Sequence, residues 1–291
     1  MERPLVVGVD GSEPALRALD WAVDEAALHG LALRVLHAST WEHYEGTAPE
    51  QSPERPEEQV LAESLVASAA DRARGRHPDV EVTADVVAED AVTALLRAGQ
   101  SASLLVLGSR GHGEITGLLL GSVGLAVAAR TRCPVIVVRG DVAGLTGTHQ
   151  CVLLGVGDPV QGADAVRFAF REAEARSCLL KAVRAWHCPA HERTDPPRLA
   201  GQAQSYHERQ ASELIDEALA VAAGDHPDVH VRRTTVEGPA HKALVHRAAA
   251  ADLLVIGAGR RHGHFGLPLG RVVHTALCHA ACPVAVVPRR D

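Results

Sequence analysis

Short apolar runs alternate with amphipathic stretches along all 291 residues of the chain. In the first half the runs fall at 4–9, 32–38, 80–87, 103–108 and 134–138, and each predicts a strand. Helical spacing of apolar residues fills the intervals at about 13–28, 57–74, 90–100 and 121–131. The last four strands are continuous in Val, Leu, Ile and Ala, the pattern expected when both faces of a sheet are covered. Ser12-Glu13-Pro14 opens the first helix with a capping residue and a proline in the first turn. The second half follows the same plan, with strands near 151–157, 179–185, 229–236, 252–257 and 283–287.

The likeness of the halves extends to individual residues. Leu104-Leu105-Val106-Leu107-Gly108 reappears 149 positions later as Leu253-Leu254-Val255-Ile256-Gly257. The same offset takes Gly121 to Gly270 and Cys133-Pro134 to Cys282-Pro283, while an offset of 147 pairs Gly8 with Gly155 and Glu25 with Glu172. One fold duplicated explains so small a slippage. The expected class is α/β: two tandem doubly wound domains, each a five-stranded parallel sheet with helices on both faces. The first domain is drawn at 1–141 and the second at 150–291, with a Gly- and Thr-rich linker from Gly140 to His149. Residues 42–56 and 187–205, rich in Pro, Glu and His, read as loops beside the carboxyl edge of each sheet.

Composition narrows the class. No apolar run approaches the roughly 18 residues of a spanning helix, so no membrane partner is expected. The chain opens Met1-Glu2-Arg3-Pro4 and runs straight into a strand, which predicts no signal peptide. Six cysteines without a CxxC pair point to a reducing, cytoplasmic setting. Residues 1–147 carry 21 acidic and 12 basic side chains, and 148–291 carry 15 and 17. Neither half has the basic footprint of a nucleic-acid binder.

In an open doubly wound sheet, ligands sit beyond the carboxyl ends of the strands where the strand order reverses. The first strand ends in Gly8-Val9-Asp10-Gly11-Ser12, and the fourth in Gly108-Ser109-Arg110-Gly111-His112-Gly113, with Gly121-Ser122-Val123 following. If these strands adjoin, a carboxylate faces a glycine-rich loop that runs into a helix. Gly108, Gly111 and Gly113 permit positive φ and close backbone approach, so several N–H groups can converge on an anion. Gly121-Ser122 then offers a helix N-terminus suited to phosphate. Asp10 is suited to ribose hydroxyls or an adenine amine. The same glycines can simply make turns, and Gly121-Ser122 can be an ordinary helix start. A P-loop is excluded, because GxxxxGK[ST] is absent and residues 1–147 contain no lysine. No GxGxxG follows the first strand, which disfavours a Rossmann dinucleotide site.

The spacing Gly108-x2-Gly111-x9-Gly121-Ser122 resembles the G-x2-G-x9-G-[S/T] pattern of ATP-binding universal stress proteins. Val9-Asp10-Gly11-Ser12 is similar to that family's opening, and the duplication resembles its tandem two-domain members. The resemblance implies ATP as ligand, alone or with magnesium, and a role in stress response or growth arrest. It implies that Asp10 and the backbone at Ala38 border the nucleoside. Gly108 to Gly113 and Gly121-Ser122-Val123 would then hold ribose and phosphates. It also implies pairing through the final strands, here 134–138 and 283–287, between the two domains of one chain or between two chains as a homodimer, and ATP cleavage that is slow or absent.

The second copy departs from the pattern. Gly157 stands at the Asp10 position, Asp158-Pro159 replaces Gly11-Ser12, Arg260 replaces the second glycine and Arg271 the serine. The two arginines can meet phosphates or fill their space, and Asp158 can substitute for Asp10 only out of register. His274, Cys278 and Cys282 recur every four residues and would line one helical face, a zinc-like set. Buried core cysteines account for them more simply, so no metal is expected. No catalytic set emerges. Two rival functions remain: a weak ATPase using Ser122, Arg110 and a divalent cation, and a nucleotide-free interaction scaffold.

Overall fold

The computed structural model describes residues 3–39, 57–109, 120–188, 197–259 and 269–289. The chain divides into two compact units, 1–138 and 139–291. In the first unit the elements run β1 (Leu5–Gly8), α1 (Glu13–His29), β2 (Leu33–Ala38), α2 (Glu57–Arg76), β3 (Val82–Val87), α3 (Ala91–Ala98), β4 (Leu104–Gly108), α4 (Ser122–Arg130) and β5 (Val135–Val138). Its strands are parallel in the order β3-β2-β1-β4-β5. The order reverses between β1 and β4, which adjoin with Leu5 opposite Leu104 and Val7 opposite Val106.

Local chemistry accounts for the ends of α1. Ser12 has extended backbone and its hydroxyl accepts from the Ala15 amide, so the helix begins where the capping residue stands. It stops at Gly30, whose φ of 64° is left-handed and costs a glycine little. Trp21, Ala22, Val23 and Ala26 are among the residues that the helix itself buries. Leu5, Val7, Leu105, Val106 and Ile136 form a sheet core closed to solvent, built from aliphatic rather than aromatic volume.

The second unit contains α5 (Val142–Leu145), β6 (Cys151–Gly155), α6 (Ala163–Ala175), β7 (Leu179–Trp186), α7 (Pro197–Asp225), β8 (Val231–Glu237), α8 (Ala240–Ala248), β9 (Leu253–Ala258), α9 (Arg271–His279) and β10 (Val284–Pro288). Its strands are again parallel, in the order β8-β7-β6-β9-β10. Asp252 fastens the entry to this sheet: its carboxylate, almost wholly buried, accepts from the amides of His149 at 2.9 Å and Cys151 at 3.0 Å.

Three expectations change. The strand at 80–87 is not covered on both faces, since no residue of β3 is buried. It ends the sheet, and Asp85 there pairs with Arg34 of β2 at 2.6 Å, an arrangement that needs solvent. The interval 187–205 is helical from Pro197 onward, where proline suits the first helical turn and leads into a helix of 29 residues. Within the linker, Asp141 caps α5 by accepting from the Gly144 amide at 2.9 Å. The stretch 42–56 lies outside the described residues.

Candidate functional site

The β1–β4 reversal brings two chain segments to one edge of the first unit. Beyond β1, Val9 continues the ladder through its amide to the Leu36 carbonyl at 2.9 Å. Asp10 follows, half-buried, and Gly11 turns the chain at a φ of 81°, where a side chain would be strained. Asp10 Oδ1 accepts from the Ser12 amide at 3.0 Å and from the Ser12 hydroxyl at 2.6 Å. Ser12, itself buried, therefore holds the carboxylate and caps α1 at once.

On the neighbouring tip, Gly108 ends β4. Its φ is not positive; what excludes a side chain is α1, because a Cβ would lie 2.8 Å from both C and O of Pro14. Gly8 is confined from the other face, where a Cβ would stand 2.9 Å from Leu107 Cδ2. Ser109 accepts from the Gly121 amide at 2.9 Å, which ties the start of α4 to the tip of β4. Gly121 is the N-cap of α4 and supplies no side-chain acceptor, whereas Ser12 and Asp90 cap α1 and α3. The amides of the first turn, Ser122 and Val123 among them, thus retain the donor capacity that a helix start carries. Ser122 is exposed and Val123 half-buried. Ala38 closes β2 opposite Val87 of β3, also on the carboxyl edge. Gly8 to Ser12, Ala38, Gly108, Ser109 and Gly121 to Val123 accordingly share one edge of the sheet. Arg110, Gly111, His112 and Gly113 lie outside the described residues.

One participant escaped the sequence reading. His37 of β2 donates from Nδ1 to the Val9 carbonyl at 2.8 Å. A carbonyl only accepts, so that nitrogen carries a hydrogen in either charge state. The bond pins the β1 tip immediately before Asp10. The offset of 147 would have flagged the position, because it sets His37 opposite Arg184.

In the second unit the corresponding edge is built differently. Arg184 of β7 donates from Nη1 to the Val156 carbonyl at 3.4 Å and to the Gly157 carbonyl. Burial pushes its pKa down and Asp158 pulls it back up, and a guanidinium stays charged at neutral pH under such conditions. Asp158 follows Gly157 at the tip of this strand. Its Oδ1 accepts from the amides of Val160 at 3.0 Å and Gln161 at 2.9 Å, so it organises the turn that precedes α6. That turn delays the helix, and room opens at the tip of β9: a Cβ on Gly257 would meet nothing nearer than Ala165 Cβ at 3.6 Å. Gly270 caps α9 without a side-chain bond, as Gly121 does for α4, and Arg271 is the first helical residue. Arg260 lies outside the described residues.

The zinc-like triplet does not share a helix. His274 and Cys278 belong to α9, but Cys282 stands after its end, buried at the entry to β10. Burial pushes the Cys282 thiol up to about 12 and also raises that of Cys278.

Two parallel doubly wound units with the same strand order describe a duplicated α/β architecture. The chain belongs to the universal stress protein family, whose model matches residues 1–139 and again 149–288. It is 34% identical over 295 residues to universal stress protein Rv2005c of Mycobacterium tuberculosis, spanning 97% of this chain and 96% of that one. A universal stress protein of Mycolicibacterium smegmatis is 30% identical over 297 residues, covering 99% of this chain and 98% of the relative. Among solved structures, a universal stress protein from Archaeoglobus fulgidus superposes with a TM-score of 0.69 at 19% identity, covering 99% of this chain and 98% of that chain; the likeness is one of fold. Among the described residues, no helix is long and apolar enough to cross a membrane.

Proposed function

We propose that the first unit binds an adenine nucleotide, ATP in particular, and that the chain is a cytoplasmic regulator of stress response or growth arrest. The observation that carries this reading is the meeting, on adjoining strand tips, of a held carboxylate at Asp10 and a helix start at Gly121 that lacks a side-chain cap. A nucleotide has matching ends. Ribose hydroxyls donate to a carboxylate, and phosphates accept from helix-start amides. Gly108 lets α1 pack closely on the tip of β4, and Gly11 takes the left-handed turn that follows Asp10. Membership of the family supports the regulatory role.

The direct test is mass spectrometry of small molecules released on denaturing freshly purified protein, with calorimetric titration of ATP into the emptied chain. Co-purifying adenine nucleotide, or saturable binding of added ATP, is the expected result. Protein that releases no nucleotide and gives no heat with millimolar ATP would overturn the reading in favour of an interaction scaffold.

A further inference from the structure

The strands β3 and β8 each end their own unit's sheet, and the charges gathered beside them differ in sign. The turns leading into them, 77–81 and 226–230, lie wholly within the described residues. In the second unit Lys181 of β7 stands directly opposite Arg232 of β8. Like charges so placed repel and weaken a sheet. Lys181 donates to the Ala250 carbonyl at 3.4 Å, Arg232 is exposed, and among the described residues neither pairs with a carboxylate. The first unit balances the same place internally. Arg34, the counterpart of Lys181, pairs there with Asp85 at 2.6 Å, and the repeat puts Thr234 where Asp85 stands. The second unit thus keeps the cation, adds another and lacks the acid.

Beside β3 the surplus is negative. Asp79 and Glu81 are exposed at the entry to the strand, and among the described residues neither has an ion-pair partner. The neighbouring arginines are already engaged, Arg74 with Asp71 at 3.0 Å, Arg76 with Asp24 at 2.5 Å and Arg34 with Asp85. At the matching entry of β8 stand Asp228 and His230, so a carboxylate is missing there as well. Arg233 is held by Asp216 at 2.9 Å, which leaves Lys181 and Arg232 as the unbalanced pair.

We propose that these edges form an interface between copies of this chain, the β8 edge of one copy, with Lys181 and Arg232, receiving the β3 edge of a second copy, with Asp79 and Glu81. A second copy is the fitting partner because the chain itself carries the complementary acids, and carries them on another strand that ends a sheet. Edge strands offer main-chain N–H and C=O groups to an incoming strand, and opposite charges select which edges meet. Two β3 edges, or two β8 edges, would bring like charges together, so the contact joins unlike surfaces. It lies at the opposite border of each unit's sheet from β5 and β10.

Sedimentation velocity on the full chain, over a dilution series at low and high salt, tests the proposal. Mass is expected to rise with concentration at low salt, and the apparent affinity to fall roughly tenfold or more at high salt, which screens exposed charges. Arg232→Glu and Glu81→Arg should each weaken the low-salt association by roughly fivefold or more, with melting temperatures close to that of the unmodified chain. Mixed in equal amounts, the two variants should associate again, because each reversed edge meets its opposite on the other variant. A merely structural role would not produce that rescue. Lys181→Gln provides a separate loss of association if Arg232→Glu does not fold. Association indifferent to salt, folded variants that associate like the unmodified chain, or a mixture that stays apart would overturn the proposal. So would a chain of one size at every dilution, in which case the charges serve only to keep the two edges in water.

Discussion

Adding one methyl group at Gly108 should damage the first unit, while the same change at Gly257 should pass almost unnoticed. At Gly108 the new Cβ would sit 2.8 Å from C and O of Pro14 and 3.0 Å from the Ala15 amide nitrogen. Non-bonded carbon atoms settle near 3.5–4.0 Å, so a separation close to 1 Å has to be made up. The obstructing atoms are backbone, which no rotamer change can move, and they belong to the first turn of α1. Relief means lifting α1 off the sheet at the point where Ser12 caps it. Overpacking of this kind costs about 1–3 kcal/mol. For a domain near this size each kcal/mol lowers the melting temperature by roughly 2–4 °C. At Gly257 the nearest atom to a Cβ would be Ala165 Cβ at 3.6 Å, ordinary contact, and the cost should stay within about 0.5 kcal/mol. Neither glycine has a positive φ, so the contrast is steric rather than conformational. Calorimetric melting of the two variants in the full chain measures it. Equal destabilisation, or a larger effect at Gly257, would refute the claim that α1 presses on the tip of β4 while α6 leaves room for a side chain at the tip of β9.

Further outcomes follow from the same geometry. Asp10→Ala should weaken ATP binding by about 1.5–3 kcal/mol, roughly 10- to 150-fold, whereas Asp158→Ala should leave nucleotide affinity unchanged; titration calorimetry separates the two. The Asp90 carboxyl lies below its ordinary value of 3.8 because it accepts from the Thr93 side chain and amide and from the Val92 amide. A lowered folded-state value means that its stabilisation is complete above the unfolded-state value and disappears as pH falls through the folded one. Asp90→Asn should therefore flatten the dependence of melting temperature on pH below the ordinary carboxyl value of 3.8, and an unaltered acid limb would contradict this. Cys282, with its thiol held near 12 by burial, should resist iodoacetamide at pH 8 in the native protein and react only after unfolding, as peptide mass spectrometry would reveal.

The parallel sheets were legible because continuous runs such as Leu104 to Gly108 admit few other readings, and the duplication gave each run a second witness. What failed had physical causes. The run at 80–87 is apolar enough to read as covered, yet Thr83 and Asp85 signal an edge, and only the strand order reveals which strand ends the sheet. A proline at 197 looked like part of a loop, although the first turn of a helix tolerates it equally well. Asp10 and Gly121 could be picked out by residue type and spacing. His37 carried only the faint signal of the repeat, which sets it opposite Arg184, because its importance lies in a bond to a backbone carbonyl on the adjoining strand. Gly108 was singled out for the wrong reason: its lack of a side chain answers to Pro14, not to a left-handed backbone.

The small triangle of Asp10, Ser12 and the first turn of α1 bears on how the two copies diverged. The serine hydroxyl gives its hydrogen to Asp10 and takes one from the Ala15 amide, so carboxylate, hydroxyl and helix form a single relay. Remove the aspartate and the buried hydroxyl loses the acceptor for its proton; remove the serine hydroxyl and the carboxylate loses that hydrogen bond while the helix loses its cap. Losing one partner alone leaves a buried hydroxyl or a helix start without its bond, which costs stability. The second copy contains neither residue: Gly157 and Pro159 occupy both places, and its helix begins further along the chain behind a turn governed by Asp158. A site wired in this way does not fade one residue at a time. Once either partner was substituted, selection for stability alone would favour losing the other and rebuilding the helix start.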